Sequence, residues 1–175
     1  MKTIFLLIIT ISTLSYGQNK IEPKKSNLSI DSYVKSVDNL TLEAAFELTK
    51  RANQTATSLN KNVAIAIVDA SGNTILMTRG DGVGPHNTEA ARRKAFTALS
   101  TKTPTLLLLR NADANSDTKN LNTLPELLLL SGGVPIWFKN NIIGSIGVAG
   151  GGSPENDDLI AKSATIPELG ITTTK

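Results

Sequence analysis

Cysteine is absent from the chain. This excludes disulfides, thiolate metal sites, iron–sulfur clusters and a cysteine nucleophile. Histidine occurs once, at position 86, so no site can draw two imidazoles from one chain. Aromatic residues make up 4% of 175, too few for the stacking platform of a single-strand binder. Charge of one sign is also lacking. Eighteen basic residues stand against fifteen acidic ones, and a net charge of +3 is too mild to argue for nucleic acid. No G-x-S-x-G elbow, Walker phosphate loop or H-E-x-x-H pair occurs.

What is present suits one domain. Hydrophobic residues at 40% and charged residues at 19% can close a real core, and 175 residues are too few for two ordinary domains. Residues 1–17 read as a secretory signal peptide: Lys2 gives the positive start, Ile4–Ile11 the apolar run, and Ser15 and Gly17 the small residues before cleavage. The run is too short to span a bilayer comfortably and no cysteine follows for a lipid, so no stable membrane anchor is expected. A buried N-terminal strand or helix is the alternative. Export to a periplasm or to the outside suits a cysteine-free chain. Residues 18–39 form a polar N-terminal segment carrying Lys20, Lys24, Lys25 and Lys35.

Beyond it the periodicity predicts elements. Thr41–Leu59 has the three- and four-residue apolar spacing of an amphipathic helix, with Thr41 as its cap. Val63–Asp69 is an apolar strand covered on both faces, and Thr74–Arg79 returns as its hairpin partner. The loop Gly80–His86 leads into a helix from about Asn87, with Ala91, Ala95, Ala98 and Leu99 as the buried stripe. Thr105–Arg110 is strand or helix, 111–122 an exposed loop, and Leu127–Leu130 a short strand. Val134–Lys139 and Ile142–Ala149 form a second hairpin, and Ser153-Pro154-Glu155 opens a last helix. This order gives an α+β fold with a mostly antiparallel sheet and helices over both faces.

Few residues carry chemistry. His86 stands where a glycine loop meets a helix, and a neutral imidazole there can ligate a metal or haem iron, or act as a base. An unengaged surface histidine is the competing reading. Glu89 is in register with Arg92 and Arg93, a solvated helix face. Lys94 falls at the edge of the alanine stripe. Its half-buried ammonium could hold a carboxylate such as a haem propionate, or it could simply snorkel. Gly150-Gly151-Gly152 before a helix could cradle a phosphate, but Pro154 removes a donor and Glu155, Asp157 and Asp158 repel anions. A close-packed turn or the floor of a cleft for a neutral ligand is the other reading of that run.

Six collinear pieces then resemble the GlcG/HbpS-like family of haem-binding and haem-degrading domains. They are LTLEAA at 40–45, VAIAIVDASGNTILMTRGDGVGPH at 63–86, ARRKAFTA at 91–98, TPT at 103–105, SGGVPI at 131–136 and IIGSIGVAGGGSPENDDLIA at 142–161. The resemblance covers residues 40–170, leaving 171–175 as a tail. It implies a profilin-like three-layer α/β/α sandwich with a five-stranded antiparallel sheet, a homo-oligomer, and haem as cofactor. The signature positions it carries over are the glycine loop with Pro85 and His86, Lys94, the TPT turn at 103–105, Gly132, Gly133, the glycine run with Gly150 and Gly151, and Asp157; among these residues His86 is the candidate metal ligand. It implies a secreted haem-binding protein, with slow haem degradation or iron sequestration. An enzyme or binding module for a small organic acid or carbonyl compound, and a purely structural oligomeric module, stand as alternatives. Whether the chain is an enzyme, and which residues would be catalytic, is left open by these residues.

Overall fold

A computed structural model describes residues 29–30 and 33–175. The expected signal peptide and most of the polar segment 18–39 lie outside the described residues. Ser36–Lys175 form one compact unit. Helix α1 (Leu42–Ser58) opens it, with the Thr41 hydroxyl accepting from the Ala44 amide at 3.2 Å. Strands β1 (Ala64–Asp69) and β2 (Thr74–Arg79) form the first hairpin. Asp69 holds its turn by accepting from the Ser71 and Asn73 amides, both at 2.8 Å. Helix α2 (His86–Thr101) follows and stops at Lys102, whose backbone is left-handed.

Next come α3 (Thr105–Ala114), α4 (Ser116–Asn120) and a 3-10 turn at Leu121–Thr123. Strands β3 (Gly133–Phe138) and β4 (Asn141–Ala149) make the second hairpin, and α5 (Pro154–Lys162) follows it. The Ser153 hydroxyl caps α5 by accepting from the Asn156 amide at 3.1 Å. A second 3-10 turn, Pro167–Leu169, precedes the C-terminus.

The described strands form one antiparallel sheet of four, in the order β2-β1-β4-β3. The expected fifth strand is not among them. Leu127–Leu130 pairs with no strand. Its backbone is taken up by α2 instead: the Leu128 amide donates to Thr97 Oγ1 at 2.8 Å, and Arg93 donates to the Leu127 carbonyl at 2.7 Å. Among the described residues a single bridge, Trp137 to Thr172, lies beyond β3, so Thr172 of the C-terminal tail reaches the outer edge of that strand. The stretch 111–122, expected as loop, is largely helical. Pro104 starts α3, and Asn115 both ends it and caps α4 by accepting from the Asp117 amide at 2.8 Å.

The sheet packs helices against two unlike faces. Alternation along a strand sends successive side chains to opposite sides. Ile65 and Ile67 of β1, Val134 and Ile136 of β3, and Ile146 and Val148 of β4 pack with α1 and α5 in the main core. Ala64 and Ala66 turn the other way and meet Ala91 of α2. There the backbones nearly touch. A Cβ at Gly147 would collide with the Ala91 carbonyl oxygen, and one at Gly133 would collide with that of Lys94. Ser145 donates from its hydroxyl to the Ala95 carbonyl at 2.6 Å. Among the described residues no helix is long and apolar enough to cross a membrane.

Candidate functional site

Two separate places collect the residues singled out from the sequence. The first is a buried knot beneath α2. The alanine stripe lays α2 on the small-residue face of the sheet and carries Lys94 with it, 4% exposed. The Lys94 ammonium donates to Asp157 Oδ2 at 2.8 Å and to the Val148 carbonyl at 2.9 Å. Asp157, 8% exposed, takes the Gly151 amide on its other oxygen at 2.7 Å. The Asn156 side chain donates to the Gly151 carbonyl at 2.8 Å and holds the glycine run against the start of α5.

Gly132 and Gly133 close the same knot. Gly132 sits at φ +109°, its carbonyl accepts from the Val148 amide at 2.8 Å, and a Cβ there would collide with the Val148 oxygen. The Gly133 amide donates to Thr105 Oγ1 at 2.8 Å. Gly150 lies just outside, beside the Asn62 carbonyl and Val83. Lys94, Asp157, Gly132, Gly133 and Gly151 therefore converge. They tie α2, β3, β4 and α5 together through one ion pair and a few backbone bonds.

This corrects the expectation of a half-buried Lys94 open to a ligand carboxylate. Asp157 and a main-chain carbonyl occupy the ammonium. The acids in the first turns of α5 are paired: Asp157 with Lys94, Asp158 with Lys162 at 2.6 Å, and Glu155 with Arg110 at 3.7 Å. Sequence reasoning missed the Val148 carbonyl, and it singled out Thr105 within the TPT turn without a partner for its hydroxyl.

The second place is the mouth of the Gly80–His86 loop. His86 is the first residue of α2, one position before the expected start, and it is exposed. Its ring lies over Gly84, where a Cβ would stand 2.9 Å from the ring carbon Cε1. The Asp81 carbonyl accepts from the Asn62 side chain at 2.9 Å and fastens the loop to the end of the α1–β1 connection. A Cβ at Gly82 would meet nothing within 4 Å, so the loop is open at that position. His86 and Lys94 share α2 but lie eight residues apart, roughly 12 Å along the axis. They do not share a hollow: one faces solvent and the other is sealed.

Arg93 is likewise not a solvated side chain. It donates to the Pro125 and Leu127 carbonyls at 2.8 and 2.7 Å and clamps the segment after α4 onto α2. Arg92 grips Glu89 through two bonds at 2.9 and 2.7 Å and Glu126 through one at 2.8 Å. The Arg92 hydrogen bonds hold the Glu89 carboxyl below its ordinary value, against the opposing effect of partial burial. Among the described residues no three or more carboxylate or imidazole side chains gather at a spacing fit for a metal ion.

With this geometry in place, comparison with known proteins decides the family. The family model described as haem-degrading protein HbpS-like matches residues 40–165. The chain belongs to the HbpS-like family. It is similar to the crystal structure of HbpS, at 37% identity and a TM-score of 0.71, covering 76% of this chain and 92% of that one. It is also similar to the PduOC:heme complex, at 29% identity and a TM-score of 0.67, covering 78% of this chain and 99% of that one. In Citrobacter freundii an uncharacterized 15.0 kDa protein of the dhaT-dhaS intergenic region is 28% identical over 130 residues, 73% of this chain and 91% of that protein.

Proposed function

We propose that this HbpS-like chain is an exported haem-binding protein that offers His86 to the iron. One observation carries the reading. The chain's single imidazole stands exposed at the open mouth of a glycine loop, while the other candidate, Lys94, is spent inside the protein. The donor set fits the group. A porphyrin brings four nitrogen ligands of its own and asks the protein for an axial one, which a lone histidine supplies without co-ligands. Bound haem would supply redox-active iron. The chain's own residues would hold it and keep the imidazole at the end of a rigid helix.

A structure of HbpS and the PduOC:heme complex among the relatives supports the ligand class. The competing reading, a small organic acid held by Lys94, loses its cation to Asp157. The leader at 1–17 and the absence of cysteine support export to a periplasm or beyond. Packing on both sheet faces supports the three-layer, profilin-like arrangement. Exposed Leu107, Leu124 and Leu159 suit contact with further copies. We therefore read the protein as a homo-oligomer. Iron sequestration follows from binding alone, whereas haem degradation would also need electrons from a separate donor.

Hemin titration tests the reading. A saturable Soret shift is expected in the native chain, and its loss or displacement in His86→Ala with the urea midpoint unchanged. An identical Soret band in His86→Ala would remove His86 as the ligand.

A further inference from the structure

The far side of the molecule holds a cavity that the haem reading does not use. It lies between the first half of α1 and residues 166–171, and its volume is about 700 Å³. That is within the size range of small-molecule sites. Its floor is apolar: Leu40, Ile143 and Ile166 are buried, and Ala44 and Ile171 pack against the same core. Phe46 and Leu169 stand at its mouth, 56% and 63% exposed. Among the described residues no histidine, methionine, tyrosine or cysteine lines it, so these offer haem iron none of the usual ligands.

The rim is charged and unevenly balanced. Three carboxylates, Glu43, Glu47 and Glu168, face two cations, Lys50 and Arg51. Both cations are already engaged. Lys50 donates to Glu47 at 3.3 Å, and Arg51 donates to Glu47 at 2.8 Å and to both oxygens of Glu168. Glu43 has no ion pair or hydrogen bond among the described residues. The charge left to a visitor is therefore negative. The exposed ring of Phe46 adds a face that also attracts cations.

We propose that this cavity is a second ligand site, for a small amphipathic amine. The apolar body of the amine would rest on Leu40, Ile143 and Ile166, with its ammonium beside Glu43. The site is independent of His86 and of haem.

Three matched probes test it by fluorescence and calorimetric titration into the full chain: 2-(1-naphthyl)ethylamine, 2-(1-naphthyl)ethanol and 1-naphthaleneacetate. The amine is expected to saturate and to bind about three- to fivefold tighter than the alcohol, with the acid weakest, since one exposed ion pair supplies no more than that. Glu43→Gln should erase the advantage of the amine and leave the alcohol unchanged. Ala44→Trp should fill the cavity and weaken all three probes, and His86→Ala should alter none. Equal affinities for the three probes, amine binding indifferent to Glu43→Gln, or no saturable binding of any probe would each overturn the proposal. Because Glu43 is exposed, its substitution leaves the fold intact even where Ala44→Trp does not.

Discussion

The two faces of the sheet are held by different physics. Toward α1 and α5 the strands present isoleucine and valine, and cohesion comes from apolar volume removed from water, about 1.5–3 kcal/mol for each fully buried side chain. Toward α2 they present alanine, glycine and serine. Little apolar volume is available there. The helix instead comes down until its carbonyl oxygens rest where side chains would otherwise be, and Lys94 is carried to a carboxylate on α5. The first face can lose a methyl group and relax. The second has no room to gain one, and it encloses a charge that must stay paired. Lys94 and Gly133, carried over from the family resemblance, sit on this second face, and Gly132, Gly151 and Asp157 join Lys94 where it crosses to α5, which explains them as packing and pairing residues before any ligand is considered.

The largest expected effect comes from breaking the enclosed pair. Lys94→Met leaves Asp157 buried without its cation, and a buried pair cut on one side costs about 3–5 kcal/mol. Urea denaturation should show this loss, and Asp157→Leu added to Lys94→Met should recover a good part of it. If the single variant unfolds at the wild-type midpoint, the pair is not the tie described above. Hemin stoichiometry of the folded fraction should be unchanged, because Lys94 does not face the loop.

The second effect compares the two faces directly. Gly147→Ala adds one methyl group against the Ala91 carbonyl, and overpacking of this kind costs about 1–3 kcal/mol or more. Ile146→Val, one residue away on the opposite face, removes one methyl group and should cost about 0.5–1.5 kcal/mol. Measured side by side by thermal melts, the added methyl should do more damage than the lost one. An inverted order would mean that α2 can slide, and the close approach would lose its role.

How much of this is legible in the sequence depends on how far away each partner lies. The two hairpins can be read because their turns and periods are local: Ala70–Asn73 and Asn140-Asn141 separate apolar runs of strand length. The alanine stripe of α2 is equally plain. The apolar run after Pro104 is too short to show a period, so α3 cannot be told from a strand by its residues alone. Leu127–Leu130 reads as a strand because nothing local shows that Thr97 and Arg93, about thirty residues earlier, take its backbone. The depth of Lys94 is hidden for the same reason. Its partner lies 63 residues on, and only the fold brings the two within 2.8 Å. The cavity beside α1 has no sequence signal, since its floor and rim come from segments more than a hundred residues apart.

The smallest effect concerns a feature that both faces share. Each side carries an arginine gripping one acid on its own helix and another from a distant loop: Arg51 with Glu47 and Glu168, Arg92 with Glu89 and Glu126. Hydrogen bonds from Arg92 lower the Glu89 carboxyl in the folded chain. A carboxyl held low contributes stability that is fully present above its unfolded value, about 4.3. That contribution is lost as the pH falls through the folded value. Glu89 is 57% exposed, so screening keeps the contribution under about 0.5 kcal/mol. Glu89→Gln should therefore lower the denaturation midpoint slightly at pH 7 and not at all at low pH, with 1 M salt shrinking the difference. A deficit that persisted below pH 3 would show that Glu89 acts through packing on α2 and not through its charge.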